Sequence, residues 1–325
     1  MTETSQGSTS PLSGAIGKRV TIRLREADGG FRDIVGVLQS EQELINSKFQ
    51  AISFSKDDIA IWREIKPLPD RAGIGSPLSL RIIELEKLSD TTWPALEIIE
   101  FGKWRLRISD GFTTRANSVL PTGAGPIGEP PMALAEAVED VIKRYRGKGL
   151  TPTFTLPLPI YQELDQYLES QGWQIKVGAQ FLIKDIDLIQ SDIASQNNFE
   201  ILDYPSEEWL ALQSDHRLEK LMKRYPARYG VIKFGESVIA VGRIATLGTW
   251  AIATRLFVDP AHRGKGIAKQ LMLLLMAAAK EDGATKIGLQ VDLENAAALA
   301  LYDSMGFRSH HKYVCRVLEP LEASK

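Results

Sequence analysis

One cysteine, Cys315, stands in 325 residues. That excludes an internal disulfide and any metal cluster built on several cysteines. Histidine is scarce as well, with four in the chain and none at metal-ligand spacing, so no metal is expected. No apolar run approaches the roughly 20 residues needed to span a bilayer. Residues 1–16 are rich in Ser, Thr and Gly and lack a basic-then-apolar leader pattern; a disordered lead-in is expected there. An excess of positive charge is also missing. The formal net charge of −2 argues against nucleic acid or an anionic membrane as the general partner. Together these absences fit a cytoplasmic protein with no membrane association.

Apolar material is plentiful, at 44% hydrophobic against 25% charged residues, which is a globular composition. The length predicts two or three domains. Residues 17–70 read as all-strand. Arg19, Thr21, Arg23 and Arg25 alternate with Val20, Ile22 and Leu24, as a half-buried strand requires. Asp28, Gly29 and Gly30 supply a turn. Further strands are expected over 31–39, 49–54 and 58–62, which suggests a small barrel of the SH3 or Sm type. The Pro- and Gly-rich stretch that follows marks 71–88 as a linker.

Residues 89–190 read as strands over 104–108 and 111–120, a Gly/Pro-rich loop over 121–131 and a helix over 132–146. A strand over 151–156, a helix over 160–171 and a strand over 173–186 complete the unit. Residues 198–318 end in the same order. A strand over 250–258 leads through a Gly-rich turn into a helix over 266–282, then a strand over 286–291, a helix over 296–305 and a strand over 307–317. An α/β (α+β) unit is therefore expected twice, the alternative being that 89–190 is one elaborated lobe of a single catalytic domain.

The strongest chemical signal runs from Leu256 to Ala268. Leu256, Phe257 and Val258 end a strand, Arg263, Gly264, Lys265 and Gly266 make a turn, and Ile267 and Ala268 open an amphipathic helix. Ile267, Leu271, Leu274, Leu275 and Ala278 share one face of that helix. Its first backbone N–H groups then point together at one place and suit a pyrophosphate. Glycines allow a phosphate to approach the main chain. A second string pairs Asn295 with Ala298, Leu301, Tyr302, Gly306 and Phe307. Asn295 suits a helix N-cap, and Gly306 and Phe307 suit a helix end and a core position.

The spacing Arg263-x-x-Gly266-x-Ala268 resembles the Arg/Gln-x-x-Gly-x-Gly/Ala signature of GNAT N-acetyltransferases. The second string resembles that family's distal motif, Asn-x-x-Ala-x-x-Leu-Tyr-x-x-x-Gly-Phe. The resemblance implies a GNAT fold with acetyl-CoA as co-substrate. Leu256, Phe257, Val258 and residues 263–268 would bind the donor, and Asn295 would sit near the pantetheine or phosphate arm. Tyr302 would lie near the acetyl sulfur and protonate the departing thiolate, a task for a group still protonated at neutral pH. A neutral amine would attack the thioester directly. The general base stays open among Asp292, Glu294, Asp215 and His216.

In residues 89–190 the matching loop lacks the Arg-x-x-Gly pattern, and Leu168 stands where the other unit has Tyr302. This half is expected not to bind acetyl-CoA but to help build an acceptor pocket from Arg115, Asn117 and Ser118, an arginine being suited to grip a carboxylate. The order of small barrel, degenerate half and active half resembles actinobacterial GNAT proteins, some described as N-acetylglutamate synthases of arginine biosynthesis. That implies a small-molecule amine or amino acid as acceptor and allows homo-oligomer formation through the barrel. Acetylation of another small amine or a protein amine, or a non-catalytic sensor of acetyl-CoA, remain alternatives.

Overall fold

The computed structural model describes residues 11–46, 50–65, 76–186, 198–213 and 217–319. The chain divides into two compact units, 1–70 and 71–325. In the first, β1 (Arg19–Arg25), β2 (Phe31–Ser40), β3 (Glu43–Ile45), β4 (Ala51–Ser53) and β5 (Ile59–Glu64) form one antiparallel sheet in the order β4-β3-β2-β1-β5. The edge strands β4 and β5 do not pair among the described residues, so the expected SH3/Sm barrel does not close. The expected disordered lead-in is also shorter at its described end. Leu12–Ala15 forms a 3₁₀ turn, and Leu12 and Ala15 are buried with Val20, Ile22 and Leu38 in this unit's core.

The second unit begins with α1 (Leu78–Thr92), then β6 (Glu97–Phe101), β7 (Trp104–Ile108), β8 (Val119–Pro121), α2 (Leu134–Gly147), β9 (Thr153–Leu158), α3 (Gln162–Ser170) and β10 (Gln174–Asp185). It continues with β11 (Asn198–Leu202), α4 (Glu207–Leu212), α5 (Leu218–Met222), β12 (Arg228–Phe234), β13 (Ser237–Leu247) and β14 (Trp250–Val258). It ends with α6 (Ile267–Glu281), β15 (Lys286–Asp292), α7 (Ala296–Ser304) and β16 (Arg308–Val317). Among the described residues no helix is long and apolar enough to cross a membrane.

Eleven strands make one sheet in the order β11-β12-β13-β14-β15-β10-β16-β9-β8-β7-β6. The two αβ halves therefore exchange their last strands. β10 follows α3 in the first half, yet pairs antiparallel with β15 and β16. β16 follows α7 in the second half, yet pairs with β9. Each half contributes a parallel pair, β8–β9 and β14–β15, and both helices α3 and α7 are followed by a glycine at positive φ, Gly172 and Gly306.

Packing sets the position of α6 closely. Leu271 and Leu275 press onto β12 and β13 where Gly230 and Gly242 stand. A Cβ on Gly230 would lie 2.9 Å from Leu271 Cδ1, and one on Gly242 would lie 2.8 Å from Leu275 Cδ1. Close approach of helix to sheet requires both glycines.

The stretch expected as a linker, 71–88, is corrected in its second part by α1, which packs on β13, β14 and β9. Leu85 joins Phe181, Ile183, Trp250 and Ile252 in a small core at the seam between the halves. Polar pairs hold the same helix. Asp90 accepts from Arg107 Nη1 at 3.1 Å and lies 3.1 Å from Arg105 Nε, with Asp90 and Arg107 each 2% exposed. Arg243 Nη2 donates to the Thr92 carbonyl at 2.9 Å. Removing one partner of a buried pair leaves the other charge uncompensated, at about 3–5 kcal/mol. Asp90→Ala is accordingly expected to lower unfolding free energy by about that amount in a urea titration. A loss near the ~0–1 kcal/mol of a surface pair would show that α1 is held by its apolar face alone.

Residues 111–120 also differ from the expected strand. Asp110 and Thr113 have φ of 53° and 59°, and Arg115–Asn117 is a 3₁₀ turn before the short β8. The Asn117 side chain closes this loop, accepting from the Ser109 and Gly111 amides at 2.7 and 3.0 Å and donating to the Phe112 and Thr113 carbonyls at 2.5 and 2.8 Å.

Candidate active site

The site begins where two strands part. β14 and β15 pair in parallel from Trp250 opposite Lys286 to Ala253 opposite Leu289. Both strands run on, but their pairing stops. Arg255 adopts φ 60°, uncommon for a residue with a side chain, and the register of β14 against β13 shifts between Val241 and Arg243. A bulge of this kind bends a strand away from its neighbour. Past Ala253, the edge of β14 that faces β15 has no strand partner among the described residues.

Beside that edge lies a cavity of about 580 Å³, lined by Leu256, Phe257, Val258, Arg263, Gly264, Gly266, Ile267, Ala268, Asn295 and Tyr302, together with His262. Lys265 is the one expected donor-binding residue that does not line it; its ammonium donates to the Ala261 carbonyl at 3.4 Å. Gly264 and Gly266 have φ of 75° and 77°, and nothing stands within 4 Å of where a Cβ would project from either. Among the described residues no side chain caps the start of α6, so its first N–H groups are open to an anion. Arg263 donates from Nε to the Val258 carbonyl at 3.0 Å and lies over the Phe257 ring at 5.7 Å. A splayed strand edge, an uncapped helix start and room over two glycines fit the arm and pyrophosphate of acetyl-CoA.

Asn295 caps α7, its Oδ1 accepting from the Ala298 amide at 3.0 Å, and also lines the cavity. Tyr302 is 7% exposed and packs edge-on against Phe307 at 5.5 Å. Burial pushes its hydroxyl pKa up to about 12, with no other contribution. A phenol held protonated in this way can give a proton to a leaving group.

A second, smaller cavity of about 260 Å³ adjoins along β14, sharing that strand through Ala253, Thr254 and Arg255. Its other walls come from Gln290 on β15, Val177 on β10, Tyr313 and Cys315 on β16, Thr155 on β9, and Glu86 and Arg115. It therefore depends on the strand exchange and on α1. Arg115 donates from Nη2 to Gln290 Oε1. Gln290 Nε2 in turn donates to Glu86 Oε1 at 3.3 Å. Burial pushes the Cys315 thiol up, opposed by its hydrogen bond to Thr155, so it stays neutral and offers no thiolate nucleophile.

Of the three residues expected to meet the acceptor, Arg115 alone lines this cavity. Asn117 is committed to the loop it closes. Ser118 is fully buried, with Oγ accepting from Arg107 at 2.7 Å and lying 2.8 Å from Thr155 Oγ1. Neither lines the cavity. Asp292 and Glu294 are exposed, the first accepting from the amide of the second at 2.8 Å, and neither lines either cavity. Asp215 and His216 lie outside the described residues.

Glu86 was missed because its segment reads as linker after so many prolines and glycines. The signal was there: Ile82, Leu85, Glu86 and Ser89 recur at helical spacing and are buried.

Residues 80–316 match the family described as "Probable histone acetyltransferase Rv0428c C-terminal". The chain is 29% identical over 250 residues to the uncharacterized N-acetyltransferase YobR of Bacillus subtilis, across 71% of this chain and 97% of that one. It is 26% identical over 319 residues to the probable histone acetyltransferase Rv0428c of Mycobacterium tuberculosis, across 93% and 95%. A GCN5-related N-acetyltransferase from Kribbella flavida shares the fold, with a TM-score of 0.60 over 77% of this chain and 98% of that chain at 15% identity. The chain thus belongs to the family of the Rv0428c C-terminal region and is a GNAT-type acetyltransferase that uses acetyl-CoA as co-substrate.

Proposed function

We propose that the enzyme acetylates the amine of a small molecule that carries a carboxylate, an amino acid, by direct attack on the thioester. The observation that carries this reading is Arg115, which lines a small cavity that shares β14 with the donor cleft. Arginine binds carboxylates in two-point fashion, and about 260 Å³ suits one small acceptor. Glutamate is the first candidate, by the resemblance to N-acetylglutamate synthases. In this reading Arg115 holds the carboxylate and turns the amine toward β14, where the thioester carbonyl would lie. The C–N bond forms, the C–S bond breaks, and Tyr302 protonates the sulfur. The first αβ half contributes Arg115 and Thr155 rather than a second donor site. Its 121–131 loop is packed down, with Trp104 Nε1 donating to the Ile127 carbonyl at 2.8 Å and Tyr161 to the Gly123 carbonyl at 2.9 Å.

Thiol release across amines tests the acceptor class. L-glutamate and L-alanine are expected to outperform ethylamine, which lacks the carboxylate. Arg115→Ala is expected to raise KM for the amino acids about tenfold or more while leaving ethylamine unchanged, since a charged hydrogen bond contributes about 1.5–3 kcal/mol. Arg115→Lys should not restore it. Equal losses on both kinds of amine would remove the carboxylate from the reading. A protein lysine is the second reading, supported by the name of the M. tuberculosis relative; faster transfer to a basic peptide than to any amino acid would favour it.

A further inference from the structure

Amines of the lysine type have a pKa of about 10.4 and arrive at neutral pH as ammonium ions. Their nitrogen has no free electron pair until one proton leaves. Among the described residues that line the acceptor cavity, Glu86 is the one carboxylate. It is 5% exposed and is held on two sides. Gln290 donates to it from β15 and ties it to Arg115. On the other side His311 Nε2 lies 2.9 Å from Oε1, with the His311 side chain fully buried. The imidazole is itself fixed. Its ring stacks on Phe181 at 5.0 Å and 19°, and its Nδ1 lies 2.9 Å from His310 Nδ1. If His310 Nδ1 donates to His311 Nδ1, the His311 proton sits on Nε2 and is donated to Glu86.

Other groups facing Glu86 are poor proton acceptors. Tyr313 and Cys315 on β16 are both pushed up by burial. Arg115, across Gln290, is a guanidinium, which has donors and no acceptor.

We propose that Glu86 accepts the proton of the substrate ammonium and that His311 positions the Glu86 carboxylate for this transfer. The inference rests on acetyl transfer to an amine in this cavity. An ammonium N–H bond breaks and its proton goes to a Glu86 oxygen. The electron pair left on nitrogen forms the bond to the thioester carbon, and the C–S pair leaves with sulfur. Sulfur takes the Tyr302 proton, and the excess proton on the new amide nitrogen restores Tyr302. Glu86 then releases its proton to solvent, so one proton appears per turnover. Arg115 and Glu86, joined through Gln290, would place carboxylate recognition and proton removal at opposite ends of one small molecule.

The test is thiol release from acetyl-CoA by the full chain, using whichever of L-glutamate and ethylamine reacts faster, from about pH 6 to about pH 10. Glu86→Gln is expected to lower kcat at least about tenfold near neutral pH. The deficit should shrink as pH rises toward the amine pKa, where solvent supplies neutral amine. Glu86→Asp, which keeps the carboxylate, should retain the wild-type shape of the profile at reduced rate. His311→Gln, which can still donate to Glu86, should be more active than His311→Leu, and acetyl-CoA affinity should stay unchanged in all four variants. A Glu86→Gln deficit that is the same at every pH, or one confined to KM, would overturn the assignment. The acceptor reading fails separately, when wild type shows no preference for L-glutamate over ethylamine, because the pH profile can be read with either.

Discussion

Gly266→Glu is expected to abolish acetyl-CoA binding, with affinity falling at least about a hundredfold in calorimetry. A carboxylate about 5 Å from a phosphate at an effective dielectric of 20 costs roughly 3 kcal/mol, and each 1.4 kcal/mol is about tenfold in affinity. A side chain in the left-handed region costs about 1–2 kcal/mol, and Gly266 sits there at φ 77°; that cost falls on stability. Among the described residues, chain neighbours aside, nothing stands within 4 Å of the new Cβ, so the fold should survive and the loss should report on the ligand. Gly266→Ala carries the strain without the charge and should lose about tenfold at most. Wild-type affinity in Gly266→Glu would mean that the start of α6 does not receive the pyrophosphate.

Tyr302→Phe is expected to lower turnover about a hundredfold while leaving acetyl-CoA affinity nearly unchanged, since proton transfer by a placed side chain contributes about 10²–10⁴. The substitution keeps the ring that packs on Phe307 and removes one oxygen. Because burial pushes this pKa up to about 12, the hydroxyl keeps its proton as pH rises through the neutral and mildly alkaline range. Wild-type kcat should therefore show no alkaline loss from this group until pH approaches that value. Unchanged turnover in Tyr302→Phe would transfer sulfur protonation to another donor, and a rise in the acetyl-CoA Kd would make the hydroxyl a binding group.

The strands and helices that carry the donor motifs were legible because their patterns are local. β14 has the bounds its apolar run implies, α6 is one residue shorter than the periodicity reading at each end, and α7 is one residue shorter at its C-terminal end. The loop at 111–120 was read as a strand because its apolar content hides the turn. Asn117 can close that loop only through backbone groups at 109–113, which are brought to it by the left-handed residues Asp110 and Thr113. In the N-terminal unit, alternation located β1 and β2 correctly but carried no information on whether β4 would meet β5.

The donor site is what the sequence determined by itself. Leu256 through Ala268 is one strand, turn and helix, and Asn295 through Phe307 is one capped helix and its exit. Backbone geometry within each segment sets where its N–H groups and side chains point, so neighbours in sequence are neighbours in the cavity. The proposed acceptor site, Arg115 apart, was decided by tertiary structure. Glu86, Arg115, Gln290 and His311 come from four distant segments. They meet because β10 and β16 change places between the halves and because α1 is pinned across the seam by Asp90, Arg107 and Arg243. Strand partners are chosen by long-range pairing and burial, neither of which leaves a spacing that a linear chain can display.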